Sequence, residues 1–344
     1  MDKIIAFSDD ANFSRHSGYS ILSKYIQDST CIHVERLGVG LTNRLANRLF
    51  RTKSVSSWYQ VSSANLEWQV LQASKKKSNI LIHLLWGERD FGYLDQLLNL
   101  DQHRLCVTFH ACSDELNKII TQKDRLRKLH GIILMSESQR HFFEEQGVEP
   151  QNISVIYHGI DTEYFTPLQQ RNKQSSTFNV LSVGNYRRKF PLLRTICLSL
   201  QEHSHIHFQI LCSSQHHHLF GDLNNVTLLQ RLSSEELRKT YQNASCQLLC
   251  MEDATANNAL LEGLSCGVPL VAEDVGGIFE YTGDDCAYLA TENNAQELIE
   301  MLLVLSKSMD RQIRMSNAAR QKALTLSWDK VAQNTKNFYH KIAI

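Results

Sequence analysis

The 344-residue chain lacks the features that would place it in several large classes. Long apolar runs are missing: the longest, NILIHLLW at 79–86 and LIEMLLVL at 298–305, fall far short of the ~20 residues a membrane-spanning helix needs. No Cys-x-x-Cys pair occurs among the nine cysteines, which removes zinc-ribbon and dithiol chemistry. Neither sign of charge is in excess. Lys plus Arg and Asp plus Glu are 36 each, with pI about 7.2, so the surface as a whole is not built to hold nucleic acid. GxGxxG is absent, Asn43 standing where a third glycine would follow Gly38 and Gly40, and so is GxxxxGK[ST]. Dinucleotide dehydrogenases and P-loop NTPases lose their main support. Internal repeats and low-complexity tracts are absent too. The opening MDKIIAFSDDANFS turns polar too early for a secretory signal, and Cys31, Cys106, Cys197, Cys212, Cys246, Cys250 and Cys266 sit in apolar surroundings. Together these predict a cytoplasmic chain with reduced, buried cysteines.

What is present is a globular composition, 42% hydrophobic and 21% charged, at a length suited to two domains of roughly 150 to 170 residues. Short apolar runs alternate with amphipathic stretches: KIIAF, NILIHLLW, RLCVTFH, GIILM and ISVIYHG in one series, then FNVLSVG, HFQILC, NVTLLQ, CQLLCM and VPLVAEDVGG in a second. This is the pattern of α/β domains with parallel, helix-covered sheets. The expected organisation is a Rossmann-like domain over 1–160, a linker over 161–177 around Pro167, a second Rossmann-like domain over 178–325, and a C-terminal helix over 326–344 in which Trp328, Val331, Phe338 and Ile342 fall near helical spacing. Open parallel sheets bind ligands at the carboxyl ends of their strands, so function is expected in the strand-to-helix loops and in a cleft between the domains.

The most informative segment is MEDATANNALLEGLSCGVPLVAEDVGG, 251–277. A strand ends near Cys250, a polar loop carrying Asp253, Thr255, Asn257 and Asn258 follows, and a helix begins with Leu260, Leu261 and Leu264 as its apolar face and Glu262 on the other. A carboxylate there suits the helix dipole, and it is also the group that accepts both hydroxyls of a ribose. After the first strand of the second domain, SVGNYRRKF presents Gly184, Arg187, Arg188 and Lys189 at a helix start, an arrangement suited to a diphosphate, Arg188 first and Lys189 second. A solvated basic turn is the competing reading.

The wording and spacing of ALLEGLSCGVPLVAEDVGG resemble the donor-binding signature of retaining family 4 glycosyltransferases of the GT-B fold, two facing Rossmann-like domains with an interdomain cleft. YHGIDTEYFTP at 157–167 looks like that family's domain junction, VTFHA at 107–111 like its N-domain cleft histidine, and LSW at 326–328 like the residues before its last helix. The resemblance runs from Val107 onward and is loose over 1–100. It implies that Glu262 with Asp253, Thr255, Asn257 and Asn258 binds the donor, that Arg187, Arg188 and Lys189 hold the leaving diphosphate, that His110 contacts the donor sugar near the reacting carbon, and that Gly18 belongs to a loop beneath the diphosphate. The family places a second acid eight residues before the glutamate, where this chain has Ala254, with Asp253 shifted by one. No Asp-x-Asp pair occurs, so no metal and no cofactor is expected, the basic residues neutralising the diphosphate.

Between Arg36 and Lys77 stand eight basic residues and one acid, Glu67. Within this stretch LTNRLANRLFRTK, 41–53, sets Leu41, Leu45 and Leu49 on one helical stripe beside Arg44, Arg48 and Arg51, a pattern shared by helices on anionic membranes and by solvated helices packed through their leucines. His203, His205 and His207 alternate and His216 to His218 form a run, without an acid or cysteine at ligand spacing. The sequons at Asn12, Asn152, Asn225 and Asn243 carry no meaning in a cytoplasmic chain. The expectation is a retaining, metal-independent glycosyltransferase moving a sugar from a nucleoside-diphosphate sugar to a sugar or lipid-linked acceptor, in cell-surface polysaccharide or glycolipid synthesis, cytoplasmic or peripheral on the inner membrane face, with no nucleic-acid partner. Its rivals are a catalytically degenerate GT-B subunit that binds a sugar nucleotide or a partner transferase, and a sugar-nucleotide epimerase.

Overall fold

The computed structural model describes residues 1–9, 16–36, 41–75, 77–168 and 177–343, and the side chains of 41–45 lie outside that description. Gly38, Gly40, Lys76, the sequon at Asn12, the linker residues 169–176 and the side chains of Leu41, Asn43, Arg44 and Leu45 therefore lie outside the described residues.

The chain divides into two compact units. Unit 1 comprises Met1–Gly159 and, returning to it, Trp328–Ile344; unit 2 is Ile160–Ser327. Unit 1 has strands β1 (Asp2–Asp9), β2 (Ser29–Glu35), β3 (Ile80–Leu84), β4 (Arg104–Phe109), β5 (Gly131–Leu134) and β6 (Ile153–Val155), all parallel, in the order β2-β1-β3-β4-β5-β6. Every residue of β3 and β5 is buried, as expected for parallel strands covered on both faces. β2 is one of the two edges, with Val34 alone fully buried; its mostly polar residues kept it out of the apolar series.

Unit 2 has β7 (Phe178–Val183), β8 (Ile206–Leu211), β9 (Val226–Leu229), β10 (Cys246–Leu249), β11 (Leu270–Glu273) and β12 (Ala287–Ala290), parallel, in the order β12-β11-β10-β7-β8-β9. In each sheet the strand order reverses once, between β1 and β3 in unit 1 and between β7 and β10 in unit 2. Open α/β sheets hold ligands outside the carboxyl ends of the strands at such a reversal.

The segment expected as a linker is packed on unit 2 over its described part. Phe165 is buried, Arg320 Nη1 and Ser265 Oγ both donate to its carbonyl at 2.9 and 2.6 Å, and Ile160 bridges to Ser327. The final helix, Trp328–Ile342, buries Trp328, Val331, Phe338 and Ile342 as its spacing predicts. Eight of the nine cysteines are buried and free; Cys31, expected inside, is exposed because it lies on the edge strand β2. No helix among the described residues is long and apolar enough to cross a membrane.

Candidate functional site

Unit 2 brings the predicted donor residues to its strand reversal. The loop after β7 and the loop after β10 are tied by two backbone hydrogen bonds, Lys189 N–H to Cys250 O at 2.9 Å and Glu252 N–H to Arg187 O at 3.0 Å, which together form an antiparallel bridge between Arg188 and Met251. Gly184 has φ 111°, open to glycine alone, and a Cβ there would lie 2.8 Å from the Arg188 guanidinium. Arg187 also has positive φ, 53°, a conformation that stores strain in a side-chain-bearing residue.

Arg188 is folded back into this loop. Its Nη2 donates to Val183 O at 2.7 Å and to Asn257 Oδ1 at 3.4 Å, its Nη1 to Tyr186 O and Met251 Sδ, each at 3.2 Å. Burial lowers its pKa from the usual arginine value to about 10. No ion pair among the described residues involves Arg188. Lys189 differs: its Nζ pairs with Glu273 at 2.9 Å and Glu292 at 3.1 Å. It stands just before the helix Phe190–Ser199, as expected, but its ammonium is already engaged by carboxylates.

Sequence reasoning missed Glu273. Fully buried at the end of β11, it also accepts from Met251 N–H at 3.0 Å and Asn293 N–H at 2.7 Å, so one carboxylate fixes the loops after β10 and β12 and the Lys189 side chain. Its only signal is an acid at the end of a buried strand.

The helix after β10, Asn258–Ser265, is capped by Asn257, whose Oδ1 accepts from Leu260 N–H at 3.1 Å. Glu262 was expected on the face opposite the leucines; the helix is instead buried nearly all round, Glu262 being 5% exposed. The reason is that it runs between neighbours on several sides. Gly263 lies flush on β10, where a Cβ would come within 2.4 Å of Gln247 Oε1, and Tyr241, from the helix Ser234–Asn243, has its hydroxyl pKa raised first by burial and then by the Glu262 charge. Thr255 is buried, Asp253 and Asn257 are half-buried, and Asn258 is exposed. Ala254 is buried beneath Gly276–Gly277: its carbonyl accepts from Gly277 N–H at 2.7 Å and would lie 2.1 Å from a Cβ at Gly276.

In unit 1, His110 follows β4. Its Nε2 faces Leu85 O at 2.8 Å, and since a carbonyl only accepts, Nε2 carries the proton. The ring stacks on Trp86 at 3.9 Å between centroids and meets Tyr19 edge-on at 4.8 Å. Burial holds its pKa well below the usual histidine value. Glu88 fixes the backbone there, accepting from Ala111 N–H at 2.6 Å and from His110 N–H. Gly18, with φ 107°, opens the turn after the β1 loop. Of the other histidines, His207 bonds Thr227 at 2.8 Å, His205 faces Ser306 at 3.4 Å and meets the His203 ring edge-on at 6.0 Å, and among the described residues none joins a metal-ligand cluster.

Residues 177–308 match the family described as glycosyl transferases group 1. The chain resembles a GT-B glycosyltransferase. The D-inositol 3-phosphate glycosyltransferase of Corynebacterium aurimucosum is 24% identical over 234 residues, 60% of this chain and 56% of that protein, so the chain spans little more than half the length of this curated relative. Sucrose-phosphate synthase of Thermosynechococcus elongatus has the same fold, with TM-score 0.76 at 14% identity over 99% of both chains. So does the HepE protein of Anabaena, solved with UDP and glucose, with TM-score 0.67 at 13% identity over 99% of this chain and 100% of that one.

Proposed function

We propose that the chain is a retaining, metal-independent glycosyltransferase that moves a sugar from a nucleoside-diphosphate sugar to an acceptor hydroxyl, in the synthesis of a cell-surface polysaccharide or glycolipid. The observation that carries this reading is Arg188, a partly buried guanidinium bonded by neutral acceptors alone, at the strand reversal of the unit that matches the glycosyl transferases group 1 family. A diphosphate supplies the charge that site lacks.

In the proposed reaction the acceptor oxygen bonds to the anomeric carbon on the face from which the diphosphate departs. The carbon–oxygen bond to the diphosphate breaks, its electron pair stays on phosphate, and a phosphate oxygen takes the acceptor's proton. Arg188 stabilises the departing charge, Glu262 accepts the ribose hydroxyls, the Asp253–Asn258 loop and Gly184 shape the donor seat, and His110 contacts the donor sugar. Lys189 serves chiefly through Glu273, holding the loop in place. UDP-glucose is the first donor to test, since HepE is solved with UDP and glucose.

The test is direct. A ligand at 100 times its Kd stabilises by about 2.7 kcal/mol, so one of the UDP-, GDP- or dTDP-sugars should raise the melting temperature, and EDTA should leave transfer unchanged. Glu262→Ala should lower kcat/KM for the donor by ~10²-fold with the fold intact. Unchanged kinetics would remove Glu262, and a rate that EDTA abolishes and Mn²⁺ restores would sink the metal-free mechanism. Ala254 under its glycine turn and the engaged Lys189 favour one second reading, a degenerate subunit that binds donor without turnover; donor binding with neither transfer nor hydrolysis in any acceptor mixture would establish it. Peripheral membrane contact is proposed from the helix Leu41–Arg51, whose Leu49 is 72% exposed beside the exposed Arg48; absence of low-salt sedimentation with anionic vesicles would refute it.

A further inference from the structure

The segment after β3 holds a concentration of unmet polar atoms that no part of the reading above uses. Trp86 Nε1, Glu88 Oε2, and Arg89 Nε and Nη2 are all buried and none has a hydrogen-bond partner. Native interiors leave few buried polar atoms unpaired, so four within four consecutive residues is far above the background of folded proteins. The groups that anchor this segment to the rest of the unit are satisfied. Asp90 accepts from Ser8 N–H at 2.8 Å, Ser8 Oγ at 2.5 Å and Ser63 Oγ at 3.1 Å, and Glu88 Oε1 takes the backbone of His110 and Ala111. The backbone is thus pinned while the second carboxylate oxygen of Glu88, a residue 2% exposed, and two nitrogens of the Arg89 guanidinium are left over.

Their place is the strand reversal of unit 1. Trp86–Asp90 leaves the carboxyl end of β3, and Ser8, bonded to Asp90, lies at the carboxyl end of β1. Arg89 lies over the Trp86 ring at 4.0 Å, which fixes its plane. Burial and the nearby positive charge of Arg36 lower its pKa, while Asp90, Glu88 and Asp9 act the other way without a hydrogen bond to it. A flat guanidinium held on an aromatic ring with two nitrogens unbonded is a receptor for a phosphate or a carboxylate. The Glu88 oxygen next to it accepts a hydroxyl. A ligand meeting both carries an anionic group and a hydroxyl on one small frame.

We propose that this edge of unit 1 is the acceptor seat and that it selects acceptors bearing an anionic group, a sugar phosphate or a uronic acid, through Arg89. This rests on the glycosyltransferase reading for the word acceptor, whereas the binding itself can be measured without a donor. All four tryptophans, Trp58, Trp68, Trp86 and Trp328, belong to unit 1, so their indole ¹⁵N–H signals report on that unit alone, and Trp86→Phe assigns the relevant one.

The experiment titrates the full chain with glucose, glucose 6-phosphate, glucuronic acid and inorganic phosphate, and measures UDP affinity calorimetrically on the same samples. Saturable movement of the Trp86 signal by glucose 6-phosphate or glucuronic acid, but not by glucose, is expected; whichever acts identifies phosphate or carboxylate as the group. Arg89→Gln should weaken that binding about tenfold or more, and Arg89→Lys, which keeps the charge but not the fork, by less. UDP affinity should be equal in all three proteins. Glucose binding as well as the charged sugars, inorganic phosphate binding as tightly as glucose 6-phosphate, or full affinity in a folded Arg89→Gln would each overturn the proposal. Failure of UDP to bind counts against the donor site in unit 2 and leaves the anion result standing.

Discussion

At the residue scale, Arg188 and Lys189 are adjacent in sequence and opposite in circumstance. Every acceptor that Arg188 reaches is neutral, two carbonyls, a thioether and an amide, while Lys189 lies against the carboxylate of Glu273, whose side chain is wholly buried. Removing the first should relieve a desolvated charge; removing the second strands one. Arg188→Met is therefore expected to leave the melting temperature of the free protein unchanged or higher and to weaken UDP binding about tenfold or more. Lys189→Met should lower the melting temperature by several degrees, the consequence of about 1–3 kcal/mol for an acid left short of a partner, and Glu273→Gln in the same chain should recover part of it. Equal melting temperatures for the two single variants, or equal UDP affinities, would dismiss this division of labour. The sequence shows both cations but not the difference, because the deciding acid lies 84 residues from Lys189.

At the scale of elements, the helix Asn258–Ser265 reaches β10 only because position 263 has no side chain. Gly263→Ala places a methyl within 2.4 Å of Gln247 Oε1, and overpacking of this kind costs about 1–3 kcal/mol. Since Asn257 and Glu262 ride on the same helix, donor affinity should fall with stability, and Gln247→Ala should restore both; a fully stable Gly263→Ala with native donor binding would show that the helix has slack. The motif around Gly263 was legible in the sequence because its glycines and leucines are dictated by this packing. The same holds for β3, β5 and β11, whose buried, mainly apolar runs are what a two-sided parallel strand requires, His83 in β3 and Glu273 at the end of β11 being the polar exceptions. β2 was not legible, since an edge strand with one buried residue carries no apolar period. Neither was the Trp86–Asp90 turn, a four-residue helix with no motif, whose meaning comes from Ser8, Ser63 and His110 brought beside it by the fold.

At the scale of the whole molecule, the chain leaves unit 1 at Gly159 and comes back to it at Trp328, so the last helix belongs to a core built from the first half of the sequence. Trp328 fills the space over Gly159, where a Cβ would lie 2.4 Å from its ring, and packs against Tyr19 and His158. Phe338 and Ile342 cover Gly131 of β5 at 3.0 and 2.8 Å from where its Cβ would stand. Tyr339 reaches the middle of the sheet, its hydroxyl 2.6 Å from His83 Nδ1, while Thr108 bonds the other ring nitrogen at 2.7 Å. Burial brings the His83 pKa down to about 3, so this histidine is neutral in the folded unit and its contribution is complete above its unfolded value near 6.5 and lost as pH falls from there toward 3. Each large apolar side chain on the helix is worth about 1.5–3 kcal/mol when buried, and Trp328, Val331, Phe338 and Ile342 together match the whole stability of a typical domain, about 5–15 kcal/mol. Ending the chain after Ser327 should therefore unfold unit 1 selectively. Tryptophan emission, which comes from unit 1 alone, should shift to that of solvated indole and lose its cooperative melt, while UDP affinity at unit 2 stays within about twofold of the full chain. A shortened chain that keeps a sharp tryptophan melt would mean that the returning helix decorates unit 1 without completing it.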